Sequence, residues 1–77
     1  EDYSFENVDF KYILNNVLQT NLIRINEKSL EIISEANDVS INGNKQYLYI
    51  LLNNLVENAV KYSSNNSKIV IELKKIQ

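Results

Sequence analysis

One stretch of this chain decides both the fold and the chemistry: Leu51-Leu52-Asn53-Asn54-Leu55-Val56-Glu57-Asn58-Ala59-Val60-Lys61-Tyr62-Ser63. Its apolar residues recur at three- and four-residue steps, which predicts a helix with one apolar face. A polar stripe, made of Asn54, Asn58 and Lys61, falls on a neighbouring face within roughly 60° of the helical wheel. Tyr62 is predicted to lie at the boundary between that stripe and the core. The face predicted to contact a sheet contains Leu48, Leu51, Leu52, Leu55 and Ala59.

Helical and extended segments alternate along the rest of the chain. The predicted order is an extended segment at 4–8, a helix at 10–26 with Asp9 as its N-cap, strands at 30–34 and 39–41, a helix at 45–63 with Asn44 as its N-cap, and a strand at 68–74. This order predicts an α/β fold of the α+β sandwich type, with two helices packed on one face of a small mixed sheet.

The composition excludes several classes of function. With 77 residues, the chain suits one small domain, and its net charge of −2 disfavours nucleic acid as the partner. The absence of histidine and cysteine removes imidazole bases, thiolate ligands and disulfides. Apolar runs of only a few residues predict no transmembrane segment and no signal peptide. We therefore expect a cytoplasmic chain, or the cytoplasmic part of something larger, without direct membrane contact.

The residue types of the polar stripe suit a phosphorylated ligand that lies along the helix. An asparagine carbonyl is a neutral oxygen ligand for Mg²⁺, and the ammonium of Lys61 can neutralise phosphate charge. The ring of Tyr62 can flank a base. A plainer interpretation is a solvated helix face in an asparagine-rich chain, with an ordinary ion pair between Glu57 and Lys61 and with Tyr62 at the rim of the core. Spacing alone leaves both interpretations open.

Residues 54–63 resemble the asparagine-rich nucleotide box of sensor histidine kinases, members of the GHKL-type ATPase superfamily. The flanks are similar to that family as well. Phe5-Glu6-Asn7-Val8-Asp9-Phe10 looks like its opening strand-to-helix signature, and Glu27-Lys28-Ser29-Leu30-Glu31-Ile32 looks like its helix-to-strand connection. Gly43-Asn44, Leu48 and Leu52 stand where the family has a "G-D" step and the leucines that lead into the box. The match covers essentially the whole chain in the family's order.

The resemblance implies ATP and Mg²⁺ as cofactors and assigns a role to four residues. Asn58 would be the Mg²⁺ ligand, Lys61 would contact the phosphates, Asn54 would support the phosphate and metal region, and Tyr62 would border the adenine. Gyrase-like and MutL-like members of the superfamily carry a glutamate base where Asn54 stands. Because an amide takes no proton at neutral pH, Asn54 disfavours an ATP hydrolase, and we assign no catalytic residue. The parent is expected to be a protein-histidine kinase.

The resemblance also implies that residues 1–77 are a single partial domain, the N-terminal half of an incomplete Bergerat-type ATP-binding fold. The family's Asp-x-Gly-x-Gly turn, lid, glycine-rich loop and phosphoacceptor helix are absent from these residues. The expected partners are the remainder of the kinase domain with its phosphoacceptor helix, and a response regulator. The 77-residue chain is expected to be inactive alone, and either to self-associate through an open sheet edge or to be ordered only beside its missing half. The alternative is a non-catalytic α/β module that dimerises or docks through that edge.

Overall fold

Strands and helices alternate in the computed structural model, which describes residues 5–36 and 39–74. The elements are β1 (Glu6–Asp9), α1 (Phe10–Thr20), α2 (Leu22–Glu27), β2 (Glu31–Ala36), β3 (Ser40–Gly43), α3 (Lys45–Tyr62) and β4 (Lys68–Leu73). This is the predicted order, except that the first helix is divided into α1 and α2. Ser4, at the start of the predicted extended segment, lies outside the described residues.

Both long helices begin at the predicted side-chain caps. The carboxylate of Asp9 accepts a hydrogen bond from the Lys11 backbone N–H at 3.0 Å, at the start of α1. The amide oxygen of Asn44 accepts from the Tyr47 backbone N–H at 3.0 Å, at the start of α3. Each cap satisfies an N–H group that has no partner within its own helix. The predicted starts of these helices are therefore confirmed.

The predicted continuous helix at 10–26 is interrupted at Asn21, which is 6% exposed. Its side-chain amide donates to the Val17 carbonyl at 2.8 Å and to the amide oxygen of Asn53 at 3.0 Å. Asparagine side chains that bond nearby carbonyls compete with the helical hydrogen-bond pattern. At the junction of α1 and α2, the buried amide of Asn21 therefore connects the first helical segment to α3.

The described strands form two pairs. β1 runs antiparallel to β3, with Val8 opposite Ile41, and β2 runs parallel to β4, with Ile32 opposite Ile69. Parallel strands require a long crossover connection, and the segment between β2 and β4 contains α3. The α+β class with helices packed against a small mixed set of strands is confirmed. Within residues 5–36 and 39–74, however, the strands form two two-stranded sheets and not one.

The apolar core lies between α1, α3 and the β2–β4 pair. Its buried members are Val8, Ile13, Leu14, Val17, Ile25, Leu30, Leu52, Val56, Val60 and Ile69. Leu18, Leu48, Ala59 and Ile71 are among the partly buried side chains that pack against them. Because both helices contribute to this one cluster, the core fixes the position of α3 relative to α1.

The predicted buried face of α3 is wrong by part of a turn. Leu52 is buried as expected, but Leu51 is 59% and Leu55 is 60% exposed. Val56 and Val60 are buried in their place, at 4% and 1% exposed. The apolar residues from Leu51 to Val60 cover an arc of roughly 180°, so packing against α1 selects one side of it. The exposed leucines then lie next to the polar stripe.

α3 is the longest of the described helices, at 18 residues. It carries glutamate, lysine and asparagine side chains within its length, and these polar groups lower its mean hydropathy. In the described part of the chain, no helix has both the length and the apolar character needed to cross a membrane. The cellular location of the chain stays a prediction.

Candidate functional site

The polar stripe lies on the solvent-facing side of α3, in its second half. Asn54, Asn58 and Lys61 are all exposed, and so is Tyr62. At 1.5 Å per residue, the four side chains are distributed along about 12 Å of helix. The core on the opposite side holds the helix in place, because Leu52 and Val60 are buried there. The structure therefore brings all four predicted site residues to one accessible side of a fixed helix.

Neighbouring asparagines on α3 differ sharply in environment. The amide oxygen of Asn53 accepts a hydrogen bond from the buried amide of Asn21, so its role is to join α3 to α1. The side chains of Asn54 and Asn58 point away from that contact. Among residues 5–36 and 39–74, neither forms a hydrogen bond or an ion pair. Their amide oxygens are thus available to a ligand.

Lys61 and Tyr62 contact each other at the end of the helix. The ammonium of Lys61 lies 5.4 Å from the centroid of the Tyr62 ring. In the described part of the chain Lys61 makes no ion pair with Glu57. Tyr62 is 77% exposed, so the prediction that it borders the core is wrong. Position 62 lies on the outer side of the helix because α1 packs against the opposite side.

An exposed apolar surface adjoins the polar stripe. It consists of the leucine pair, Leu51 and Leu55, together with the exposed ring of Tyr62. On the helical wheel Leu55 lies roughly 60° from Asn58, which places amide and aliphatic groups next to each other. Such a mixed surface suits a ligand or a protein segment with both polar and apolar parts.

The donor set of this face fits a hard cation only in part. Among the described residues, no cluster of carboxylate, imidazole or thiolate groups could hold a metal ion. The oxygen ligands that the polar stripe offers are the amide oxygens of Asn54 and Asn58. Mg²⁺ keeps several waters and takes few protein ligands when phosphates supply the rest, so a single asparagine oxygen is compatible with it. The residues present therefore fit Mg²⁺ when a phosphate ligand is bound beside them.

A lysine outside the predicted site stabilises the C-terminal end of α3. The Lys28 ammonium donates to the carbonyl oxygens of Val60 at 2.7 Å and of Lys61 at 3.0 Å. The hydroxyl of Ser63 donates to the carbonyl of Ala59 at 2.5 Å. Sequence reasoning missed Lys28, because it lies more than thirty positions before its partners and no local pattern marks the contact.

Open grooves on the described surface include two that border α3. One, of about 470 Å³, is lined by Phe5, Asn44, Tyr47 and Leu48. The other, of about 540 Å³, lies between α1 and α3 and is lined by Ile13, Asn16, Lys45, Gln46, Tyr49 and Ile50. Neither of these two grooves includes a residue of the polar stripe. Asn54, Asn58 and Lys61 are exposed on the surface of α3.

Known proteins that are similar to this chain in sequence include sensor proteins. No protein-family model matches the chain. In sequence it is 33% identical over 75 residues to the methyl sulfide methyltransferase-associated sensor of Methanosarcina acetivorans, covering 95% of this chain and 8% of that protein. It is 34% identical over 68 residues to the heme sensor protein HssS of Staphylococcus epidermidis, covering 88% of this chain and 15% of that protein.

Solved structures show the same fold. The histidine kinase AdeS of Acinetobacter baumannii superposes with a TM-score of 0.86 at 21% identity, over 99% of this chain and 38% of that one. The catalytic domain of histidine kinase ThkA superposes with a TM-score of 0.79 at 20% identity, over 90% of this chain and 49% of that one. This chain is similar to part of a histidine kinase catalytic domain. The predicted resemblance and the fold class are thereby confirmed.

The matched proteins are longer than this chain. The chain spans less than one sixth of the two sensors, 8% and 15% of their lengths. It spans 48% of the cytoplasmic segment of histidine kinase QseC, with a TM-score of 0.79 at 19% identity over 91% of this chain. At these identities the solved structures establish the fold, and the roles of Asn54, Asn58, Lys61 and Tyr62 rest on the residues themselves.

Proposed function

We propose that α3 forms one side of a Mg²⁺–ATP site in the catalytic domain of a two-component sensor histidine kinase, and that residues 1–77 are the N-terminal half of that domain. The observation that carries this proposal is the pair of exposed amides, Asn54 and Asn58, beside the exposed ammonium of Lys61. Their side chains make no hydrogen bond within the described residues, while the adjacent Asn53 is used to hold the helices together.

Each residue of the face has a separate task in the proposed site. The amide oxygen of Asn58 ligates Mg²⁺, and Asn54 holds the neighbouring phosphate and metal region. The ammonium of Lys61 neutralises phosphate charge, and the exposed ring of Tyr62 flanks the adenine. Mg²⁺, when bound, supplies the charge neutralisation that phosphoryl transfer requires. An amide takes up no proton at neutral pH, so the work proposed for Asn54 and Asn58 is binding and orientation.

The leucine pair supports the proposal that this side of α3 is completed by more protein. Leu51 and Leu55 are more than half exposed on a helix whose other side is fully packed. The chain also spans only about half of the ThkA catalytic domain, 49%. We propose that the rest of the domain covers these leucines and supplies the opposite side of the nucleotide site. A phosphoacceptor helix and a response regulator would be further partners, in the cytoplasm.

Nucleotide binding tests the proposed site directly. We expect a non-hydrolysable ATP analogue with Mg²⁺ to shift the backbone amide resonances of residues 54–62 in the ¹⁵N-labelled chain. Asn58→Ala should weaken Mg²⁺-dependent binding about tenfold or more, because the proposed metal ligand is lost. Asn15→Ala, which removes an exposed asparagine from α1, is the matched control. Equal binding by the two variants would refute the proposed role of Asn58.

Turnover is expected to be absent from the 77-residue chain. Phosphoryl transfer depends on groups arranged around the whole triphosphate, and one helix face supplies too few of them. Incubation of the purified chain with γ-³²P-ATP and Mg²⁺ should release no phosphate above the level of the Asn58→Ala variant. Release that depends on Asn58 would show that the chain is catalytically complete.

A second candidate function is a non-catalytic interaction module. The exposed leucine pair favours it, because an unpaired apolar surface of this kind is a common docking site. The nucleotide titration separates the two candidates. An interaction module would leave the amides of residues 54–62 unmoved by any nucleotide and would tolerate Asn58→Ala and Tyr62→Ala.

A further inference from the structure

Lys28 connects two parts of the molecule that are distant in sequence. It is the C-cap of α2, and its backbone N–H donates to the Arg24 carbonyl at 3.0 Å. Its carbonyl accepts from the Asn66 N–H at 2.8 Å, in the loop that follows α3. The backbone of Lys28 is therefore fixed on both sides, and its side chain extends from there to the end of α3.

The ammonium of Lys28 occupies the electrostatically negative end of α3. The last carbonyls of a helix have no partner within it and carry the negative end of the helix dipole. The Lys28 ammonium donates hydrogen bonds to two of these carbonyls, at 2.7 Å to Val60 and at 3.0 Å to Lys61. A unit positive charge thus lies on the same helical turn that carries the side chains of Lys61 and Tyr62.

That position matters for an anionic ligand. Phosphates next to Lys61 would lie close to the negative end of α3, and this end repels them. A cation held against the carbonyls of Val60 and Lys61 offsets the repulsion. We infer that Lys28 is a positioning residue of the nucleotide site: it neutralises the end of α3 and fixes the backbone that carries Lys61. This inference rests on the proposed function.

The hydrogen bonds of Lys28 and its charge would affect ligand affinity differently. If Lys28 only caps the helix, replacing it changes the affinity for charged and uncharged ligands alike. If its charge favours phosphate, replacing it lowers the affinity more as the number of phosphates on the ligand increases. Lys28→Gln removes the charge but keeps a donor for the carbonyls, whereas Lys28→Met removes both, and Lys28→Arg keeps the charge. Lys11→Met changes the net charge equally, from an exposed position near the start of α1.

The experiment compares adenosine, ADP and a non-hydrolysable ATP analogue, with Mg²⁺, by amide shifts of residues 54–62 in these variants. We expect Lys28→Gln and Lys28→Met to weaken the ATP analogue about three- to tenfold, ADP less, and adenosine less than about twofold. Lys28→Arg and Lys11→Met should bind like the unaltered chain. Circular dichroism checks folding, and Lys28→Gln keeps the test decisive if Lys28→Met unfolds.

Two results would overturn the inference. One is unchanged affinity for the ATP analogue in Lys28→Gln, and the other is an equal loss for all three ligands. If either occurs while Asn58→Ala still abolishes Mg²⁺-dependent binding, the proposed function stands without this role for Lys28. If no nucleotide shifts the amides of α3 in the unaltered chain, nucleotide binding by the 77-residue chain and the role of Lys28 in it are both refuted.

Discussion

At the residue scale, the same side chain has different roles in different environments. Asn21 and Asn53 are hydrogen-bonded to each other across two helices, whereas Asn54 and Asn58 face solvent on the outer side of α3. Buried amides are stabilising only while their partners are present, because an unpaired polar group away from water is costly. Asn21 and Asn53 are therefore structural residues, whereas Asn54 and Asn58 are candidate binding residues, and hydrogen bonding and burial distinguish the two pairs.

This division predicts effects of different size on the free energy of unfolding. Asn21→Ala should lower the free energy of unfolding by about 1–3 kcal/mol, because it removes the donor to Val17 and to Asn53. Asn54→Ala should change it by less than about 0.5 kcal/mol, since the side chain is exposed. Urea unfolding followed by circular dichroism measures both. Equal losses in the two variants would show that the Asn21–Asn53 contact is not stabilising.

The local sequence pattern predicts the roles of some of these residues but not of others. Asp9 and Asn44 act within two or three positions of their own place in the chain, so their capping roles were readable from sequence. The exposure of Asn54 and Asn58 follows from helical periodicity. The contacts of Asn53 and of Lys28 join residues more than thirty positions apart, and only the tertiary fold brings them together.

At the element scale, α3 shows why a helix can be predicted more reliably than its orientation. Its existence and its start follow from periodicity and from a cap, and both are confirmed. Its buried side does not follow, because apolar residues cover roughly half of the helical wheel. The sequence predicts that the leucine side is buried, but α1 packs against the side that carries Val56 and Val60.

The observed orientation of α3 predicts that Val56 contributes more to stability than Leu55, whereas the orientation predicted from sequence gives the reverse order. Val56→Ala should lower the free energy of unfolding by about 2 kcal/mol, because it removes a side chain that is 4% exposed and leaves a cavity. Leu55→Ala should cost less than about 0.5 kcal/mol, although leucine is the larger residue, because it is 60% exposed. Urea titration of the two variants compares them. A larger loss for Leu55→Ala would restore the leucine-facing orientation.

At the scale of the whole molecule, two kinds of surface are left unpartnered in the described structure. Each described strand is hydrogen-bonded to one other strand, so each pair has open edges. The leucine pair, Leu51 and Leu55, forms an exposed apolar surface beside the polar stripe. On the proposed function, the rest of the kinase domain would cover both surfaces, and a second copy of the chain can bind them when it is absent.

We therefore predict that the isolated 77-residue chain self-associates, and that sedimentation velocity between low micromolar and millimolar concentration shows a rising weight-average mass. Lys68 is the first residue of β4 and Lys74 follows its last residue. Lysines at a strand edge discourage pairing with another chain, so the leucine pair is expected to dominate the association. Replacing Leu51 and Leu55 with glutamine should then weaken association about tenfold, with little loss of stability because both side chains are exposed. Undiminished association of that variant would assign the contact to a strand edge, and a strictly monomeric unaltered chain at millimolar concentration would refute self-association through either surface.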